Sequence, residues 1–292
     1  PEVETVRRGL APVMEGSIIT NAQINRPNLR FPFPEQFKER LEGKTILSVG
    51  RRAKYLVVDL DSQELLIMHL GMSGSFRIEL EEGIEAPGVF HHPRSEMQKH
   101  DHVVLHLDGT IGKSKIIYND PRRFGYMDLV PRSEIETSKH FINVGVEPTG
   151  NALDGALLSE LFAGKSAPLK AVLLDQRLVA GLGNIYVCEA LWRSGLSPKR
   201  KASTITRQGG KATPRTELLA TVIREVIAEA IDAGGSSLRD HKQTDGSLVY
   251  FQHSFKVYDQ EGNPCKADGC NATIKRIVQS GRSTFYCPSC QR

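Results

Sequence analysis

The spacing of apolar residues changes along the chain, and each change marks a new part. Val3, Val6, Leu10 and Val13 recur at intervals of three and four, which predicts an amphipathic helix starting almost at Pro1, a residue suited to a first helical turn. From residue 18 to residue 130 the period falls to two. Segments 45–49, 55–60, 65–70, 75–80, 102–107 and 115–118 alternate apolar and polar positions between turn residues, as the strands of an antiparallel sandwich or barrel do. Residues 81–99 show no period and are expected to form a loop. Helical spacing then returns near 153–163, 169–176, 184–194 and 214–233. The last of these has Thr213 as an N-cap, Pro214 at its first position and a Gly234-Gly235 stop. A polar loop, 236–250, follows it.

The final stretch, 256–292, is patterned by cysteines. Cys265 and Cys270 enclose four residues, Cys287 and Cys290 enclose two, and sixteen lie between the pairs. Two close pairs flanking a hairpin-length insert predict four thiolates around one tetrahedral zinc ion. Segments 272–278 and 283–286 read as the strands of that hairpin, with Arg282 at its tip. Two disulfides are the weaker reading, because no secretory segment precedes them and a fifth cysteine, Cys188, lies within a helical pattern. A ribbon that only ties down the C-terminus stays open.

Composition adds one fact. The chain of 292 residues carries a net charge of +4, yet residues 196–292 hold 15 Lys+Arg against 9 Asp+Glu, so the excess sits in the C-terminal third. That asymmetry points to a polyanion, nucleic acid foremost. No apolar run approaches the ~18 residues of a membrane span.

Several short motifs carry candidate chemistry. Ala180-Gly-Leu-Gly-Asn184 opens a helix after a turn, where backbone N–H groups can receive a phosphate, although a plain helix–turn–helix corner looks the same. Arg51-Arg-Ala-Lys54 and Asp120-Pro-Arg-Arg-Phe-Gly125 put cations in turns. His69-Leu-Gly-Met-Ser-Gly74 places a flexible Met on a glycine-rich turn, a position more often used to fill a core.

Taken in order, Pro-Glu-Val-Glu-Thr, Arg-Arg-Ala-Lys-Tyr, His-Leu-Gly-Met-Ser-Gly-Ser, Lys-His-Asp-His, Asp-Pro-Arg-Arg-Phe-Gly, Gly-Leu-Gly-Asn-Ile-Tyr and the four-cysteine tail resemble the bacterial formamidopyrimidine-DNA glycosylases over essentially the whole chain. The resemblance implies an α+β fold. An N-terminal helix and antiparallel β-sandwich form a catalytic domain (1–130), and a connection (131–150) leads to a helix–two-turn–helix DNA-binding domain (151–255) whose loop 236–250 is a lid over the lesion. A ribbon (256–292) holding one structural zinc completes the chain, and DNA lies in the cleft between the domains. It also implies a monomer acting on damaged or abasic double-stranded DNA in the cytoplasm, at the nucleoid. The implied reaction excises 8-oxoguanine and ring-opened purines and then cleaves the strand by β,δ-elimination.

Residue by residue, the resemblance makes Pro1 the amine nucleophile and Glu2 the proton shuttle. An α-amino group titrating near ~8 is a usable nucleophile, where a lysine near ~10.4 is not without help. Met72 and Phe124 become the wedge that fills the space of the extruded base, with Arg122 facing the orphaned cytosine. Lys54, His100, Lys165, Lys170, Asn184 and Arg282 match positions that touch DNA, mostly its phosphates. Lys54 is counted with the catalytic set, and Arg282 matches the arginine credited with the elimination step. The sequence departs from the family twice. Its first cysteine pair encloses four residues where two are usual, and it begins Pro-Glu-Val-Glu-Thr where members begin Pro-Glu-Leu-Pro-Glu-Val-Glu-Thr. At ~1.5 Å per helical residue an amine three positions along is displaced by roughly 4–5 Å, so a chain starting at Pro1 is expected to bind DNA but form the imine poorly. A catalytically impaired damage-binding protein therefore stays open beside the enzyme. An endonuclease VIII-like glycosylase acting on pyrimidines is disfavoured, because both the His69–Ser75 and Asp120–Gly125 motifs follow the purine-excising pattern.

Overall fold

The computed structural model describes residues 1–81, 98–234 and 255–292, so the expected lid and most of the expected 81–99 loop lie outside the described residues. The described residues divide into two compact units, one of Glu2–Ile142 and the other of residues 143–234 and 255–292 together with Pro1.

The first unit is a sandwich led by a helix. Helix α1 (Glu2–Met14) buries Leu10, Val13 and Met14, the stripe its spacing predicted. Glu4 takes Arg7 at 2.8 Å and Arg51 at 3.3 Å, which fastens the first turn of the helix to a strand. One four-stranded antiparallel sheet runs in the order β1 (Ile18–Ile24), β6 (Asp101–Gly109), β7 (Gly112–Asn119), β5 (Ser75–Leu80). The other runs β2 (Ile46–Arg52), β3 (Tyr55–Leu60), β4 (Glu64–His69), β8 (Tyr126–Pro131). Alternate residues of both sheets, among them Ile19, Leu56, Val58, Leu105 and Tyr118, close one core with α1. A five-residue helix, α2 (Phe37–Leu41), interrupts the β pattern and was not anticipated, since five residues are too few to show a period. Beyond β8 the chain stays on this unit. Phe141 is buried edge-on to Tyr55, and His140 bonds Asp128 at 2.7 Å, which holds the Asp128 carboxyl down at about 2.

The second unit packs α3 (Gly155–Phe162), α4 (Leu169–Leu173), α5 (Asn184–Arg193) and α6 (Pro214–Asp232) around their own core. Thr213 caps α6 through a reciprocal pair with Thr216, which satisfies N–H groups that the first turn leaves open. A hairpin, β9 (Lys275–Gln279) and β10 (Arg282–Tyr286), turns on Ser280 and Gly281, both at positive φ as a two-residue turn demands. Among the described residues no helix is long and apolar enough to cross a membrane.

Candidate nucleic-acid interface and metal centre

Two loops of the sandwich unit, at 70–74 and 120–125, are locked to each other by one buried carboxylate. Asp120 is 0% exposed. One of its oxygens accepts the Ser73 hydroxyl; the other accepts Gly125 N–H at 2.8 Å and the Tyr118 hydroxyl at 3.2 Å. The Asp120 carbonyl meets His102 Nε2 at 2.9 Å, and Ser73 Oγ in turn accepts Arg122 N–H at 3.2 Å. Burial and the adjacent Asp120 charge push the Tyr118 phenol upward, so it remains a donor. The backbones touch as well. A Cβ on Gly71 would lie 2.5 Å from Gly125 N, and one on Gly125 would lie 1.8 Å from the Tyr118 hydroxyl, so only glycine fits at either place.

What this platform raises into solvent is apolar. Met72 is 73% exposed and Phe124 43%, with the Arg122 guanidinium 4.7 Å above the Phe124 ring. Exposing large apolar side chains on a hydrogen-bonded base is the reverse of what folding alone selects, and it matches a surface made to insert between stacked rings. Below the platform His69 stacks on Tyr126 at 5.2 Å, and its Nδ1 accepts Gly71 N–H at 3.1 Å. Burial, aided by the charges of Lys54 and Arg30, lowers His69 to about 4, so the ring is neutral and Nδ1 keeps its lone pair for the loop. Lys54 and His100 stand at turns of this unit. Lys54 sits in the β2–β3 turn next to Ala53, which has a positive φ. His100 ends a 3₁₀ turn, and its carbonyl accepts Asp120 N–H at 3.1 Å. Pro1 immediately precedes α1, and Glu2 is that helix's first residue.

In the second unit three candidates meet at the hairpin tip. Lys170 and Asn184 both donate to the Ser283 carbonyl at 2.9 Å, and Lys170 also donates to Thr284 Oγ1 at 2.5 Å. Arg282, exposed, is the residue just before these anchors. Lys170, which the resemblance matches to a DNA-touching position, is buried against the hairpin. It is only 1% exposed, and burial, with the nearby Arg282 charge, lowers its pKa. Among the described residues the buried Asn184 Oδ1 has no partner at the start of α5, where Gly183 supplies no capping side chain. Lys165 lies on the turn after α3, its carbonyl accepting Ser203 N–H at 3.0 Å.

The four cysteines behind this tip converge. Their sulfurs lie within 4.8 Å of one another, with Cys265–Cys290 at 3.9 Å and Cys270–Cys287 at 3.7 Å. A tetrahedron with 2.3 Å zinc–sulfur bonds has edges of about 3.8 Å, so the donor set fits zinc and the four-residue spacing of the first pair does not spoil it. The Trp192 indole N–H points at Cys265 Sγ at 3.4 Å, the kind of outer hydrogen bond that orients a thiolate ligand.

Matches to known families follow the same divisions. Residues 1–127 match the formamidopyrimidine-DNA glycosylase N-terminal domain, residues 144–242 the H2TH domain of the same enzymes, and residues 262–292 the zinc finger found in FPG and IleRS. The chain belongs to the formamidopyrimidine-DNA glycosylase family. The formamidopyrimidine-DNA glycosylase of Rhizobium meliloti is 60% identical across all of this chain and 99% of its own length, and that of Chelativorans sp. is 63% identical with the same coverage. A solved complex of the Lactococcus lactis Fpg with DNA containing an abasic site shares 33% identity at a TM-score of 0.81, covering 100% of this chain and 98% of that one.

Within this member of the family, sequence reading missed the residues that hold the exposed ones. Ser73 and Asp120 lay inside motifs already singled out, but a pattern of neighbours in sequence cannot show that one carboxylate spans two loops. Thr284 and Glu189 gave no signal at all. Glu189, buried on α5, accepts the N–H groups of Lys256, Val257 and Tyr258 at 3.0, 3.0 and 2.9 Å and so fixes where the chain enters the ribbon.

Proposed function

We propose that this protein excises oxidised purines from duplex DNA and then cleaves the abasic strand. The clasped platform carries the reading: Met72, Arg122 and Phe124 stand exposed on a base that Asp120 and its partners hold rigid. Extruding a base costs a few kcal/mol of unstacking, which a preformed wedge offsets by filling the gap. Arg122 presents a planar pair of donors to the O2 and N3 acceptors of an unpaired cytosine, which favours lesions whose partner is cytosine. Arg282, held out by the Lys170 and Asn184 anchors, serves a phosphate at the scissile strand.

The chemistry needs a secondary amine. In this chain Pro1 is its candidate, with Glu2 beside it to move protons. The amine attacks C1′, the base departs with a proton, and the resulting iminium makes the adjacent C2′ proton acidic, so that its loss expels the 3′ phosphate; loss of the C4′ proton from the conjugated product then expels the 5′ phosphate. Zinc, when bound by Cys265, Cys270, Cys287 and Cys290, supplies structure rather than reaction chemistry, because four thiolates leave it no open position. The substrate would be met at the nucleoid, in the cytoplasm.

The deciding experiment incubates the protein with a duplex bearing 8-oxoguanine opposite cytosine. Base release with strand scission and a borohydride-trapped adduct supports the reading; retention of the duplex without either sinks the enzyme and leaves a damage-binding protein.

A further inference from the structure

Beside the wedge lies a concavity of about 630 Å³ that the proposed chemistry leaves unused. Arg122, Arg123 and Phe124 form one side of it, and Asn28, Leu29 and Arg30 the other. Backbone bonds fix the two sides to each other. Arg30 N–H donates to the Gly125 carbonyl at 3.1 Å, and the loop carrying Arg30 is closed on itself by Leu29 N–H donating to Phe31 O at 3.1 Å. Arg123 is held at φ 54, a conformation that costs a non-glycine residue on the order of 1 kcal/mol, and its N–H closes the turn onto the Asp120 carbonyl. The Arg30 guanidinium lies 5.3 Å over the Phe31 ring, whose edge packs against Tyr126, so its direction is set before anything binds.

Three arginines thus line one hollow. Among the described residues, none of Arg30, Arg122 and Arg123 has a carboxylate partner. Like charges gathered without compensation raise the local potential and favour an anion able to take paired N–H donors, and a phosphodiester has that geometry. The hollow is open and shares a wall with Arg122, which suits a continuing backbone rather than a small free anion.

We infer that Asn28, Arg30 and Arg123 form a subsite for the strand opposite the lesion, gripping the phosphodiester next to the orphaned base. The inference rests on the reading of Arg122 above: whichever strand carries the base facing Arg122 must run past Arg30. The subsite gives the protein a hold on the undamaged strand that is separate from base readout. It lets the wedge stay in place while the damaged strand is cut.

The test uses the full chain and a duplex with a tetrahydrofuran abasic analogue opposite cytosine, in which single charge-neutral methylphosphonates replace successive linkages of either strand. One linkage of the opposite strand, adjacent to the orphaned base, should weaken binding about tenfold. Arg30→Ala should weaken binding to the unmodified duplex by a similar factor, reduce the salt slope by about one, and lose nothing more at that linkage. Arg30→Lys should restore the salt slope, which a folding defect would not. An Arg30→Ala protein with an unchanged salt slope, or a sensitive linkage that maps to the damaged strand, would overturn the subsite. If Arg122→Ala keeps its opposite-base preference while the Arg30 results hold, the Arg122 reading fails and the phosphate contact survives.

Discussion

The platform under Met72 and Phe124 and the hairpin tip under Arg282 hold exposed side chains by opposite means. The platform belongs to a large core, and its order comes from Asp120, the packed glycines Gly71 and Gly125, and a tyrosine that cannot ionise near neutrality. The tip belongs to a ribbon that contributes five buried residues to its apolar cluster, two of them cysteines of the metal set, with Cys188 of α5 as the sixth. Its order must be borrowed, from the metal on one side and from Lys170 and Asn184 on the other. A site grown on a core resists local insults, whereas a site hung from a metal can be switched off as a piece.

Metal removal should widen that contrast most. Zinc binding by four thiolates supplies about 10–16 kcal/mol in small ribbons, so stripping it should disorder residues 256–292 and cut duplex affinity on the order of 100-fold while the sandwich keeps its β-sheet circular dichroism. Undiminished binding after verified zinc loss would show that Lys170 and Asn184 hold the tip alone. The platform's own breaking point is Asp120. Asp120→Ala orphans Gly125 N–H and the hydroxyls of Ser73 and Tyr118, a loss of about 3–5 kcal/mol in urea unfolding, with zinc content unaffected.

Acid should reveal the platform next. His69 titrates near 6.5 in an unfolded chain and at about 4 here, so its contribution is complete above pH 6.5 and falls away as the pH drops toward 4, by at most about 3 kcal/mol. His69→Asn, which retains an acceptor for Gly71 N–H, should flatten that stretch of the stability profile; a profile identical to the parent's would remove His69 from the account. Arg122→Ala should cost roughly 1–3 kcal/mol of preference for cytosine over adenine opposite the lesion, read from competitive binding. The smallest effect is expected at Lys170. Because its ammonium is buried against Ser283 and Thr284, Lys170→Ala should weaken binding equally for every opposite base and leave the salt slope unchanged, where loss of a direct phosphate contact would lower it by about one.

Much of the fold was legible because burial imposes a period. The alternation in 55–60 and 75–80 returned as β3 and β5 with the same bounds, and the Thr213–Pro214 start of α6 stands where its capping chemistry put it. Cysteine spacing was legible for a related reason, since four ligands on one ion leave few spacings. Contacts that join distant segments left no such trace. The burial of Lys170 is not legible in sequence, because only the hairpin folded over it, more than a hundred positions later, makes it an anchor. The Asp120 clasp joins segments 47 residues apart, and nothing in the Asp-Pro turn announces Ser73 as its partner.

Met72 carries a liability that follows from its exposure. Its thioether is the most exposed of the large apolar side chains described, and oxidants that turn guanine into 8-oxoguanine also add oxygen to thioethers. The sulfoxide is polar and hydrated, so inserting it between bases would mean stripping water that the thioether never held. The stress that creates the substrate would therefore blunt the wedge that finds it. Because methionine sulfoxide is reducible, the protein's working lifetime would depend on the reductases that regenerate methionine.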